Sequence, residues 1–306
     1  MPYTFPPAAP TVSGDNITAS RFLNSTPLVA RRLRTLAEQR FVSLSVLSGR
    51  ASTSSGALQL ETNEGLYSDR PVEVVAPGSE YPLTTITSGP IQQVSTQKWG
   101  QDTLFTDEAI ARFAMANVEK GLTKLVNTAA KNIDGLSLSL IASSVSQTQG
   151  TAGTNNWTAA SGATILRDLM NAKATLAALN QGYDADVLLI NDATWAAVAS
   201  DATLMGAMQR ESSANPVYTG ELNTLAGVRI VRTPNLPAAG GWLLDSSMFG
   251  GIVTENLGGG YQSAGDLLET KSMREDEADR FRVRVRATFA PYVVEPNAAI
   301  KINNAV

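Results

Sequence analysis

The sequence predicts an α+β protein, and three stretches carry that prediction. Between Thr106 and Asp134 apolar residues recur at spacings of three and four, which is the period of a long amphipathic helix. From Ile165 to Thr254 helical and strand patterns alternate. RFRVRVRATF, Arg280 to Phe289, then alternates basic with apolar residues at the two-residue period of a strand. A chain of 306 residues with 43% hydrophobic content can build a core for one large domain or two modest ones.

The first twenty-five or so residues carry Pro2, Pro6, Pro7 and Pro10 and few strong apolar residues, which predicts an extended arm outside any packed core. Thr26-Pro27 then places a cap before a proline at the first helical position, and Leu28, Val29, Leu33 and Leu36 supply one apolar face. Arg31, Arg32, Arg34 and Arg40 crowd the same helix, either as an electrostatic contact with a partner or as a solvated face. From Ala51 to Asp102, short alternating stretches such as ALQLET and PVEVVA are broken by Gly65, Pro71, Pro77, Gly78, Pro82, Gly89 and Pro90. That pattern predicts a long β-hairpin or extended loop with little core of its own, and its alternation favours lying across another surface.

Thr106 caps the long helix, and Asp107 and Glu108 suit the positive end of its dipole. Ile110, Ala114, Val118, Leu122, Leu125, Ala129 and Ile133 form its stripe, and Gly135 is the expected stop, giving a rod of ~42 Å at 1.5 Å per residue. Gly121 inside the rod costs ~1 kcal/mol relative to alanine. After a Gly/Thr/Asn/Ser-rich stretch at residues 147–162, Ile165, Leu166, Leu169, Met170, Leu176 and Leu179 mark a second helix. Val187 to Ile190 reads as a buried strand, and Asn191 caps a short helix through Trp195 and Val198. Further strands are expected at Val228 to Val231, Trp242 to Leu244 and Gly251 to Thr254. The whole makes a compact α/β or α+β unit of about a hundred residues.

Composition excludes much chemistry. With no His and no Cys there is no Ser-His-Asp triad, no thiol nucleophile, no zinc site of the usual ligands and no disulfide. Phosphate-loop, dinucleotide and calcium-loop motifs are missing too, and the Gly258-Gly259-Gly260 run is a turn without the lysine and helix start of a phosphate site. The expectation is therefore no catalytic site, no cofactor and no metal. Paired carboxylates leave one enzymatic alternative, a hydrolase using Asp184 and Asp186 or Asp266 and Glu269. Net charge is -4, so the chain does not supply the positive balance that drives tight nucleic-acid binding. The first twenty residues lack a basic start and an apolar core, and no apolar run approaches the ~20 residues of a membrane span. The sequons at Asn16, Asn24 and Asn156 are read as chance matches. Charged residues, at 17%, fall below the ordinary ~25%, which hints at surface buried between subunits.

On the closing strand Phe281, Val283, Val285, Ala287 and Phe289 share one face, and Arg280, Arg282, Arg284, Arg286 and Thr288 share the other. Four cations ~6.8 Å apart repel one another unless anions or solvent lie opposite. Candidate anions are nucleic-acid phosphates, the chain's own Glu275, Asp276, Glu277 and Asp279, or that same cluster on another copy; a solvated basic face is the alternative. Most of the 24 basic residues are arginine, which suits bidentate carboxylate or phosphate pairing and interface burial.

In order and spacing, several segments resemble the major capsid protein of tailed bacteriophages, whose shell fold is shared with encapsulins and the floor of herpesvirus capsids. They are TPLVARRLRTLAEQRF, VEVVAPGSEYP, AAKNIDG at the helix end, VLLINDATWAAV, GVRIVRTPNLPAAGGWLLD and RFRVRVRATFAPYVVEPNAAI. The resemblance covers nearly the whole chain. It implies an N-terminal arm and short basic helix at 1–50 and an extended β loop at 51–102 lying over a neighbouring subunit. It implies a peripheral domain of 103–160 and 268–306 built on the long spine helix, and an axial α/β domain at 161–267.

Its functional implication is a non-enzymatic subunit that assembles as hexamers and pentamers into an icosahedral virion shell around phage double-stranded DNA. Assembly is expected in the host bacterial cytoplasm. Partners would be copies of itself, a separate scaffolding protein or none, a portal, decoration proteins, and DNA contacted only weakly because a motor drives it inside. The residues Arg280, Arg282, Arg284, Arg286, Glu275, Asp276, Glu277 and Asp279 are the expected inter-subunit contacts. Some relatives weld subunits through Lys-to-Asn isopeptide bonds, for which Lys98 and Asn297 are the candidates here. An encapsulin-like compartment enclosing a cargo enzyme is the alternative within the fold.

Overall fold

The computed structural model of the chain describes residues 19–38, 41–68, 70–85, 88–151, 153, 155–159, 164–207, 222–236 and 240–305. Pro2, Pro6, Pro7, Pro10, Asn16 and Arg40 lie outside them. In chain order the first elements are α1 (Ala19–Asn24), α2 (Thr26–Glu38), α3 (Ser43–Val46), β1 (Gly49–Thr53), β2 (Ala57–Glu61), β3 (Ile91–Ser95), β4 (Gln97–Thr106) and α4 (Asp107–Ser144). Next come β5 (Thr148–Gln149), α5 (Ile165–Ala177), β6 (Val187–Ile190), α6 (Asp192–Ser200), α7 (Ala202–Ala207), β7 (Thr224–Leu225), β8 (Val228–Arg232) and β9 (Gly241–Leu244). The chain closes with β10 (Gly250–Glu255), β11 (Gln262–Ser263), β12 (Glu269–Glu275), β13 (Arg280–Val293) and β14 (Ala299–Ile302). Helix and strand are thus mixed along the chain, as the sequence predicts.

Contacts divide the chain into two compact units. The first gathers the described residues of Met1–Arg40, Lys98–Ala130 and Leu257–Thr288, the second those of Phe41–Gln97, Lys131–Asn256 and Phe289–Val306. In the first, β12 and β13 form an antiparallel pair in register from Glu269↔Arg286 to Glu275↔Arg280, β11 pairs with β12, and β4 pairs with β13. The expected alternation holds: Phe281, Val283, Val285 and Ala287 are buried on one face of β13. Helices α1 and α2 pack on β12, burying Phe22, Leu23, Val29 and Leu33. The extended character expected up to residue 25 therefore ends by Ala19, because Phe22 and Leu23 have a core to enter.

Helix α4 starts where its cap predicts, with the Ala109 amide donating to Thr106 Oγ1 at 3.3 Å. A Cβ at position 121 would stand 2.6 Å from the buried Phe105 ring, so Gly121 is required by close packing. Gly135 does not stop the helix, which continues to Ser144. Ser137, Leu138 and Ile141 are buried beyond it, and their packing outweighs the glycine penalty.

The second unit holds a sheet of order β5-β14-β9-β6-β8-β7, in which β6 runs parallel to β8 and antiparallel to β9. All four residues of β6 are buried, as its continuous apolar run predicts. Asn191 caps α6, accepting from the Thr194 amide at 2.6 Å. Helix α5 buries Ile165, Leu169 and Leu176, but Leu166 and Met170 are exposed and Leu179 lies past its end at Ala177, so its apolar face is narrower and shorter than expected. Gly251 to Thr254 is a strand, yet it joins β1 and the Phe289–Val293 end of β13 instead of β6, β8 and β9. β2 pairs with β3, whereas PVEVVA, residues 71–76, forms no strand because no described segment offers it a ladder. Asp134, 1% exposed, accepts from the backbone amides of Ser43 at 2.9 Å and Val42 at 3.2 Å. It caps α3 from far along the chain, and burial raises its carboxyl pKa despite those bonds.

Candidate functional site: the arginine strand and an exposed excursion

Because β12 and β13 are in antiparallel register, the arginine face of β13 meets Glu269, Lys271, Met273 and Glu275 in turn. Arg280 Nε donates to Glu275 Oε2 at 2.6 Å, and Arg286 Nε to Glu269 Oε2 at 2.7 Å. Arg282 Nε lies 2.7 Å from Glu275 Oε1 but off the N–H direction, making an ion pair without a directed hydrogen bond. Arg284 stands opposite Lys271, a like-charge pairing that destabilises a sheet. It turns instead to Asp102 on β4, donating from Nε at 2.7 Å and Nη2 at 2.8 Å as a bidentate pair. Those hydrogen bonds hold the Asp102 carboxyl below its ordinary range.

Around these pairs lies a cavity of about 530 Å³ lined by Lys98, Gln101, Asp102, Tyr261, Arg284 and Arg286. The Arg286 guanidinium stacks 3.5 Å above the Tyr261 ring and donates to the Gly258 carbonyl at 2.7 Å. Lys271 Nζ donates to the Gly259 carbonyl at 3.0 Å. The triple-glycine turn, with φ of 64°, 81° and 74°, is therefore pinned by cations through its carbonyls, the reverse of a phosphate cradle. At the other end of the hairpin Arg274 pairs bidentately with Asp107, at 2.6 and 2.7 Å, and also reaches Asp276. Asp276 and Asp279 remain 88% and 77% exposed, Asp279 has φ of 43°, and Glu277 has no partner among the described residues.

In the second unit, the described residues of 62–90 form an irregular excursion whose Val72, Val74, Tyr81 and Leu83 are almost wholly exposed. Its root is held: Glu295 accepts from the Glu64 amide at 3.0 Å and from Tyr183 Oη at 3.0 Å, and Gln181 accepts from the Leu66 amide at 3.0 Å. Burial, reinforced by Glu295, pushes the Tyr183 hydroxyl up to about 12. Asn297 Nδ2 donates to Asn63 Oδ1 at 3.4 Å in this unit, while Lys98 belongs to the other. Of the carboxylates weighed for hydrolysis, Asp186 and Glu269 are engaged locally. Asp186 accepts from the amide and hydroxyl of Ser246, at 2.8 and 2.7 Å, and Glu269 holds Arg286. Among the described residues no carboxylate cluster suits a metal ion, and no helix is long and apolar enough to cross a membrane.

The family model described as phage capsid protein matches residues 91–302, most of the chain and all of the arginine hairpin. This chain belongs to the phage capsid protein family. The capsid of cyanophage P-SCSP1u has the same fold, with 15% identity over 85% of this chain and 86% of that one and a TM-score of 0.62. A phage-related protein from Bordetella bronchiseptica aligns with 12% identity over 91% and 96% of the two chains, TM-score 0.63. The virus-like particle of Pyrococcus furiosus aligns with 12% identity over 90% and 97%, TM-score 0.57. No curated protein matches the sequence. The capsid protein is thus a structural shell component with the mixed fold its sequence predicts. Sequence reasoning missed the arginine partners Asp102 and Glu269, because pairing across strands is set by register and not by proximity in the chain. Tyr261 was missed as well, although an aromatic directly after three glycines is the available signal.

Proposed function

We propose that this capsid protein is the major subunit of an icosahedral shell, assembling as hexamers and pentamers around phage double-stranded DNA. The observation that carries the proposal is the excursion at residues 62–90. It holds out Val72, Val74, Tyr81 and Leu83 with no core of its own, and an arrangement of that kind is stabilised when a neighbouring copy covers it. In this reading residues 1–50 are the arm and 51–102 the loop that lies on a neighbour. Residues 103–160 and 268–306 make the peripheral domain and 161–267 the axial one. Scaffolding, portal and decoration proteins are the expected partners, and assembly takes place in the host cytoplasm.

Negative-stain microscopy of the purified protein tests the proposal. Closed particles of uniform size support it; a monomer at every concentration overturns it. A second reading, in keeping with the likeness to the Pyrococcus furiosus virus-like particle, is a shell of the same fold that holds a cargo enzyme in place of a genome. Particle contents separate the two: long duplex DNA for the first, a co-purifying enzyme for the second.

A further inference from the structure

We propose that the cavity bounded by Lys98, Tyr261, Arg284 and Arg286 receives the acidic hairpin tip, Asp276 to Asp279, of a second copy. This rests on the shell reading above and names the contact through which neighbouring subunits would engage. The hairpin of β12 and β13 is electrically polar. On its arginine face and the adjoining β4, Lys98, Lys271, Arg280, Arg282, Arg284 and Arg286 outnumber the carboxylates Asp102, Glu269 and Glu275. Its tip has the opposite excess, with Asp107, Asp276, Glu277 and Asp279 around the cation Arg274. Each end also keeps one charge without a partner among the described residues, Lys98 at the cavity and Glu277 at the tip.

The β12–β13 hairpin, with β4 beside it, therefore carries both halves of a complementary contact that it cannot close on itself, since tip and cavity sit at different places along the hairpin. A contact in which one surface of a copy meets a different surface of the next is heterologous, and repeated by rotation it closes into a ring. Nucleic-acid phosphate would be the competing anion for the cavity. Asp102 stands in the cavity wall and the chain as a whole carries -4, so a short acidic turn delivered by a neighbour is favoured over a continuous polyanion.

Charge reversal at these two positions tests this without breaking any hydrogen bond or ion pair among the described residues. Lys98→Glu and Glu277→Lys should each fold normally by circular dichroism and thermal melting. Each should raise the protein concentration needed for particle formation at low salt by about tenfold or more, because like charges then meet. The double variant Lys98→Glu with Glu277→Lys restores complementarity at every contact and should assemble within about threefold of wild type. Single variants that assemble as wild type overturn the proposal and leave the shell reading standing. So does a double variant as defective as the singles, or a Lys98→Glu particle that is normal except for lost DNA. Failure of the wild-type chain to form particles at any concentration or salt overturns the shell reading and this contact with it.

Discussion

The bidentate bond between Arg284 and Asp102 should be the main electrostatic tie between β4 and β13, and a double-mutant cycle measures it. Two charge-assisted bonds at 2.7 and 2.8 Å would be worth ~1.5–3 kcal/mol each if fully buried. Side-chain exposures of 37% for Arg284 and 28% for Asp102 admit solvent screening, so a coupling of about 1.5 kcal/mol is expected for the pair. The single changes should be unequal. Asp102→Ala leaves Arg284 facing Lys271 with no carboxylate and should cost about 3 kcal/mol, whereas Arg284→Ala leaves Asp102 with Arg282 at 3.6 Å and should cost about 2. Urea unfolding of the dilute, unassembled chain at pH 7 provides the assay, read through Trp99 on β4; Trp157, Trp195 and Trp242 belong to the other unit. The pH dependence has a definite sign. Arg284 lowers the folded carboxyl pKa of Asp102, so its contribution is present above the ordinary value of 3.8 and is lost as pH falls through the folded value. A coupling below about 0.4 kcal/mol at pH 7, inside the ordinary error of additivity, or one that persists unchanged in strong acid, would refute the reasoning.

Two glycines in α4 should respond oppositely. Gly135→Ala, with open space around its Cβ, should stabilise by ~0.5–1 kcal/mol, and Gly121→Ala, driven against Phe105, should destabilise by ~1–3 kcal/mol, both read from urea midpoints. Burial raises the Asp134 carboxyl pKa, so its ionisation weighs against the fold. Stability is fully present below 3.8 and is lost as pH rises through the folded value. Wild type should therefore gain on Asp134→Asn as pH is lowered from 7 towards 4, and a gap that moves the other way contradicts the assignment. Val72→Thr with Val74→Thr should change the isolated chain by less than ~0.5 kcal/mol yet reduce particle yield several-fold. Undiminished yield would remove the excursion from the assembly contacts.

The elements legible in the sequence were those specified by local pattern. The alternation of β13 from Phe281 to Phe289, the Asn191 cap of α6, the buried run of β6 and the Thr106 start of α4 each needed only neighbours in the chain. What was not legible depends on distant partners. Gly135 continues a helix because residues beyond it are buried, Asp134 caps a helix begun at Ser43, and PVEVVA fails as a strand for want of a ladder. At the candidate site the arginines and the carboxylate tip were visible as types. Which acid meets which arginine followed only from the register of β12 on β13 and from β4, which brings Asp102 across 182 positions to Arg284.

That separation has a consequence for how the molecule is made. Both compact units borrow residues from the last fifty positions, so neither can close while the ribosome still holds those residues. A nascent chain carries Asp102 without its arginine, and Phe22, Leu23, Val29 and Leu33 without the strand they pack on, through most of synthesis, the interval in which aggregation competes with folding. If the proposed contact between copies holds, delay also protects assembly: the strand bearing the arginines is made after most of the described chain, so a product truncated before it would lack the surface proposed to engage a neighbour.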